Sequence, residues 1–148
     1  MINQKVSFDN YQVKEYNFEN NDILQIFFDN HMIDIEYFMS CQKLFKLKIP
    51  SFVTEIRNSS FDGCNCLEKI TIPSSVTRIG KNAFYGCSDL KEITIPSSVN
   101  YIGENAFNGC SNLKEIKILS SLITRIYKST FSGCISLKEI KIPSSVTL

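Results

Sequence analysis

The chain predicts a β-rich α/β solenoid, a stack of similar windings that share a parallel sheet, and three observations carry that prediction. A 23-residue interval separates Leu44, Leu67, Leu90 and Leu113, and the same interval separates Cys41, Cys64, Cys87 and Cys110. Leu137 and Cys134 continue the series after one inserted residue. All four prolines and all six glycines hold positions tied to the interval. A polar/apolar alternation rich in β-branched residues also returns once per interval, clearest in Glu92 to Ile95. Intervals of about 20 to 29 residues belong to supersecondary units that cannot bury their apolar side alone, so the units must stack.

Each winding reads the same way from its start. The alternation Glu92-Ile-Thr-Ile marks a half-buried strand with Ile93 and Ile95 inward. Leu47 and Ile49, Ile70 and Ile72, Ile116 and Ile118, and Ile140 and Ile142 are the counterparts, which makes a parallel sheet. Pro50, Pro73, Pro96 and Pro143 close the strands, because proline has no N–H to continue a ladder, and the serines that follow are turn formers.

A second, shorter alternation follows the turn: Val53 to Ile56, Val76 to Ile79, Val99 to Ile102 and Ile123 to Ile126. It supplies the opposite wall. Gly80 and Gly103 come next, where the chain needs a positive φ or a close backbone approach, and Asn58 and Tyr127 replace or displace that glycine elsewhere. Lys81 to Cys87 reads as one helical turn closed by glycine. Phe61, Phe84, Phe107 and Phe131 then form an internal aromatic column. With windings about 4.8 Å apart, the in-phase cysteines stack in a line as small buried hydrophobes, a geometry unsuited to a tetrahedral metal site.

The expected organisation is an atypical N-terminal cap with one degenerate repeat over residues 1–43, then repeats over 44–148 with the last incomplete. In the degenerate repeat Leu24, Ile26, Ile33 and Phe38 lie one period before Leu47, Ile49, Ile56 and Phe61. Phe8, Tyr11, Tyr16 and Phe18 fit no phase and are assigned to a cap over the open end. The last winding stops at Val146-Thr-Leu148 without a polar closing segment. Exposed apolar surface is expected there, either as part of a longer array or as an end-to-end self-association surface.

Composition narrows the function. A formal charge of +1, with lysines interleaved by glutamates, argues against nucleic acid as a partner. The first ten residues lack the apolar run of a secretory signal, and no stretch approaches a membrane span, so a cytoplasmic location is expected, with the cell surface reachable by an unconventional route. Asn58-Ser-Ser matches the glycosylation sequon, but without a signal it meets no glycosylating enzyme. A serine nucleophile needs a histidine base nearby, and His31, the single histidine, is read as a partly exposed loop residue of the cap; the glycines are spaced a winding apart, so no phosphate loop forms. No catalytic residue, cofactor or metal ligand is nominated.

The fuller phrase Ile-Pro-Ser-Ser-Val-Thr-x-Ile-Gly-x-x-Ala-Phe-x-Gly-Cys-Ser-x-Leu-Lys-Glu-Ile, closest over Thr71 to Ile118, resembles the BspA-like class of leucine-rich repeats. Ser75 and Ser98 stand where the commonest leucine-rich pattern has asparagine, and Leu119, Ser121 and Leu122 break the phrase with a lost proline and an insertion. The resemblance implies a curved solenoid with one parallel sheet on its concave face and a role in protein recognition. The expected partner is a protein or peptide bound on the outward side chains of the sheet. Those are Lys46 and Lys48, Lys69 and Thr71, Glu92 and Thr94, Glu115 and Lys117, and Glu139 and Lys141. The competing expectation is a structural segment of a longer adhesive or scaffolding array with no site of its own.

Overall fold

A computed structural model describes residues 16–17, 32–33 and 44–147. Its strands form two parallel sheets. The first runs β1 (Tyr16–Asn17), β3 (Lys46–Lys48), β5 (Lys69–Thr71), β7 (Glu92–Ile95), β9 (Glu115–Ile118). The second runs β2 (Met32–Ile33), β4 (Glu55–Ile56), β6 (Arg78–Ile79), β8 (Tyr101–Ile102). The short second alternation therefore builds a sheet of its own as far as β8, whereas its expected counterpart over Ile123 to Ile126 forms no strand.

Register follows the repeat. Leu47 pairs with Ile70, Ile93 with Ile116 and Ile95 with Ile118; on the other wall Ile56 pairs with Ile79 and Ile79 with Ile102. These inward side chains are buried, apart from a half-buried Ile118. A one-residue slip would turn each of them to solvent, so the core holds the register. Between the walls the phenylalanines stack face over face: ring centroids are 5.2 Å apart for Phe61–Phe84, 5.3 Å for Phe84–Phe107 and 5.7 Å for Phe107–Phe131. The expected column is present.

The segment expected as a helical turn is a run of turns, and no helix occurs among the described residues. The reason lies in where its amides go. Asn82, Phe84 and Gly86 donate across to the carbonyls of Glu104, Ala106 and Asn108 in the next winding, while Tyr85 and Cys87 donate back to Asn82 and Phe84. An α-helix needs successive amides on its own carbonyls. With alternate donors bonded between windings, only i to i−3 turns remain. Left-handed backbone brackets each run, at Asn82 (φ 53°) and Gly86 (φ 68°) and again at Asn105 and Gly109.

Gly80 and Gly103 serve close approach and not positive φ. A Cβ on Gly80 would lie 2.5 Å from Asn58 N, and one on Gly103 2.5 Å from Lys81 N. Register places Arg57, not Asn58, one winding before Gly80, since Ile56 pairs with Ile79. Asn58 instead accepts a hydrogen bond from Lys81 N on Oδ1 at 2.8 Å.

Serines tie the turns together. Ser75, Ser98 and Ser145 donate from Oγ to the carbonyls of Val53, Val76 and Ile123, each at 2.6 Å. In the irregular winding Ser120 makes the same bond to Val99, leaving Ser121 and Leu122 as the bulged residues before Ile123. Leu119, in the proline position, keeps an N–H that donates to Ile95 at 3.0 Å. That bond is the one proline forbids in the other windings.

Both ends depart from expectation. Tyr16, not Leu24, lies opposite Leu47, an offset of 47 − 16 = 31 residues, so the first winding carries extra chain on this side. Ile33 does pair with Ile56 as the period predicts. Leu24, Ile26, His31, Phe38, Cys41 and the other proposed cap aromatics lie outside the described residues. At the other end no strand forms over 138–142, and Ile142, expected inward, is 44 % exposed. The insertion at Ser121–Leu122 lengthens the offset to the winding before from 23 to 24 residues, as the Phe107–Phe131 pair shows.

Candidate functional site

The outward side chains of the first sheet form two columns, because period-2 strands in register stack like over like. One column is Lys46, Lys69, Glu92, Glu115; the other is Lys48, Thr71, Thr94, Lys117. Lys69, Thr71, Glu92, Thr94, Glu115 and Lys117 line a single shallow depression of about 340 Å³ floored by Ile70, Ile72 and Ile93. Six of the expected residues thus share one surface, with Lys46 and Lys48 beside it on β3. Glu139 and Lys141 do not extend the sheet, which stops at β9. They border a second cleft with Glu115 and Lys117, together with Lys114 and Lys138, which the repeat pattern had not singled out.

Charge on this face is locally balanced. Lys69 Nζ lies 2.9 Å from Glu92 Oε1, and Lys117 Nζ lies 3.3 Å from Glu115 Oε1. The hydrogen bond and charge of Lys69, with a smaller contribution from Lys117, hold the Glu92 carboxyl below its usual range. Glu92 and Glu115 are adjacent in register, so these lysines offset a like-charge contact. Thr71 and Thr94, in the second column between Lys48 and Lys117, are the uncharged outward residues of the depression.

The outer side of the second sheet differs. Glu55 binds Arg78 at 3.1 Å, the Arg78 guanidinium lies 3.9 Å from the Tyr101 ring centre, and Tyr101 packs on Tyr127 at 5.6 Å. Arg125 covers Tyr127 at 4.9 Å. These side chains are spent on one another across windings, a stitch that stabilises the wall and leaves less for a partner.

The thiols face inward. Cys87, Cys110 and Cys134 donate from Sγ to the carbonyls of Phe61, Phe84 and Phe107 at 3.1, 3.2 and 3.2 Å. Burial pushes the Cys87 thiol up, far from ionisation at neutral pH. Cys134 is half-buried, and its interaction with Cys110 lowers its thiol while raising that of Cys110. No group of three His, Cys, Asp or Glu side chains converges as metal ligands among the described residues. No helix there is long and apolar enough to cross a membrane.

Residues 31–148 match the model of the BspA type leucine rich repeat region in six copies. The chain belongs to that family. The BspA-type windings also resemble solved structures: a leucine-rich repeat protein from Bacteroides ovatus is 35% identical with a TM-score of 0.57 over 78% of this chain and 36% of its own. A leucine rich cell surface protein from Faecalibacterium prausnitzii is 31% identical, with a TM-score of 0.54 over 64% of this chain and 31% of its own. A T. pallidum leucine-rich repeat protein, 24% identical at a TM-score of 0.55, covers 72% of this chain and 60% of its own and shares the fold. This BspA-type chain therefore spans about a third of the length of the first two relatives. No curated protein sequence matches it.

Proposed function

We propose that this BspA-type chain is a non-enzymatic binding module that holds a protein or extended peptide against the outward face of the first sheet. The carrying observation is the shared depression over β5, β7 and β9, where two paired charges stand beside the hydroxyls of Thr71 and Thr94. Charges fixed in this way orient a partner and exclude wrong ones more than they add raw affinity. The uncharged Thr71 and Thr94 are where a partner can desolvate most cheaply.

The test reverses Glu92 and Glu115 to lysine. Immobilised protein is used to capture partners from lysate and surface fractions of the source cell, and the double variant is run beside it. Loss of specific captured proteins supports the face; an unchanged set removes it from consideration. A second reading, a few windings of a longer surface or scaffold array, draws on the relatives' greater length and on the cell-surface description of one of them. Further in-phase repeats in the gene beyond Leu148 would favour it.

A further inference from the structure

We propose that the open edge of β9 is a second binding site, which takes an extended acidic peptide as an added strand in the cleft between β9 and residues 138–141. This site borders the sheet-face depression, sharing Glu115 and Lys117 with it, but it uses the edge backbone and does not depend on that reading. Successive residues of a parallel strand turn their backbone groups to opposite neighbours. Leu119 donates back to Ile95, so Ile116 and Ile118, at odd offsets from it, direct theirs away from β7. No backbone hydrogen bond joins residues 138–142 to β9 among the described residues. An unpaired edge of this kind is a template for another strand.

The space beside that edge is about 550 Å³, within the range of ligand clefts, and Ile116, Ile118 and Leu119 give it an apolar lining. Charge selects the occupant. Lys114, Lys117, Lys138 and Lys141 line the cleft against Glu115 and Glu139, an excess of 4 − 2 = 2 positive charges. Lys117 is engaged by Glu115, and Lys114, Lys138 and Lys141 have no ion pair among the described residues. A strand with carboxylates on its outward positions meets these ammonium groups while its amides complete the β9 ladder. A second copy of the chain would bring the same lysines against themselves.

The test uses the whole chain and two synthetic peptides, one alternating glutamate with valine and threonine, the other with lysine in place of glutamate. Fluorescence anisotropy should show the acidic peptide binding, more weakly as salt rises, and at least about tenfold tighter than the lysine peptide. Hydrogen exchange on the unaltered protein should slow at the Ile116 and Ile118 amides when the acidic peptide is bound. The variant Lys114→Glu, Lys138→Glu, Lys141→Glu should bind it about tenfold more weakly. Lys69→Glu with Glu92→Lys, on the sheet face, should leave it unchanged. Equal binding of the two peptides, no slowing at those two amides, or slowing on concentrating the protein alone overturns the proposal. Should the triple lysine variant misfold, exchange on the unaltered chain decides.

Discussion

Gly103 and Gly109 stand in the same winding under opposite constraints. A Cβ on Gly103 would meet the Lys81 backbone at 2.5 Å, whereas one on Gly109, at φ 78°, would meet Gly86 Cα at 3.4 Å. Backbone cannot swing aside as a side chain can. We expect Gly103→Ala to cost about 3 kcal/mol and Gly109→Ala about 1 to 2 kcal/mol, the ordinary cost of a left-handed L-residue. Urea unfolding of the two variants checks the order, and equal losses would disprove the close-approach account. The cysteines make a second test. Half-buried Cys66 and Cys134 should react with iodoacetamide in the native chain, Cys134 helped by its lowered thiol, while buried Cys64, Cys87 and Cys110 react only on unfolding. Mass mapping of the adducts reads this directly.

At the scale of the element, alternation in the sequence identified every strand of the first sheet from β3 to β9, because one face is buried and a slip of one residue exposes it. The run Lys81–Cys87 reads locally as helix and forms turns for the complementary reason. Its pattern of a capped, glycine-closed segment is local, but half its amides are satisfied by another winding, a partner that no local pattern names. The β1 pairing was equally out of reach, since extra chain between β1 and β2 breaks the period that locates everything else. On the sheet face, Glu92 has a lowered folded pKa, so the Lys69–Glu92 contribution is present above the ordinary carboxylate range and is lost as pH falls through the depressed value. An NMR titration should place the Glu92 midpoint below that of a free glutamate, and Lys69→Ala should move it back up. A midpoint unmoved by that substitution would assign the shift elsewhere.

Over the whole molecule, stability resides in contacts between neighbouring windings. Phe84 is stacked on both sides, whereas Phe131 has one stacked neighbour among the described residues and is half-buried. Phe84→Ala should therefore cost about 3 to 5 kcal/mol and Phe131→Ala clearly less. Chemical denaturation compares them; similar losses would mean that the winding at 131–147 is held as firmly as the interior. The period, the inward residues from β3 to β9 and the aromatic column were all legible in one dimension, since each is a repeated choice between burial and exposure that a winding makes from its own residues. The end of the sheet at β9, the spending of alternate amides between windings, and the gathering of Lys114, Lys138 and Lys141 around the edge cleft were not. Those depend on how one winding meets the next, and a bulge at Ser121–Leu122 or an added length before β3 changes that meeting without altering the apolar pattern on either side.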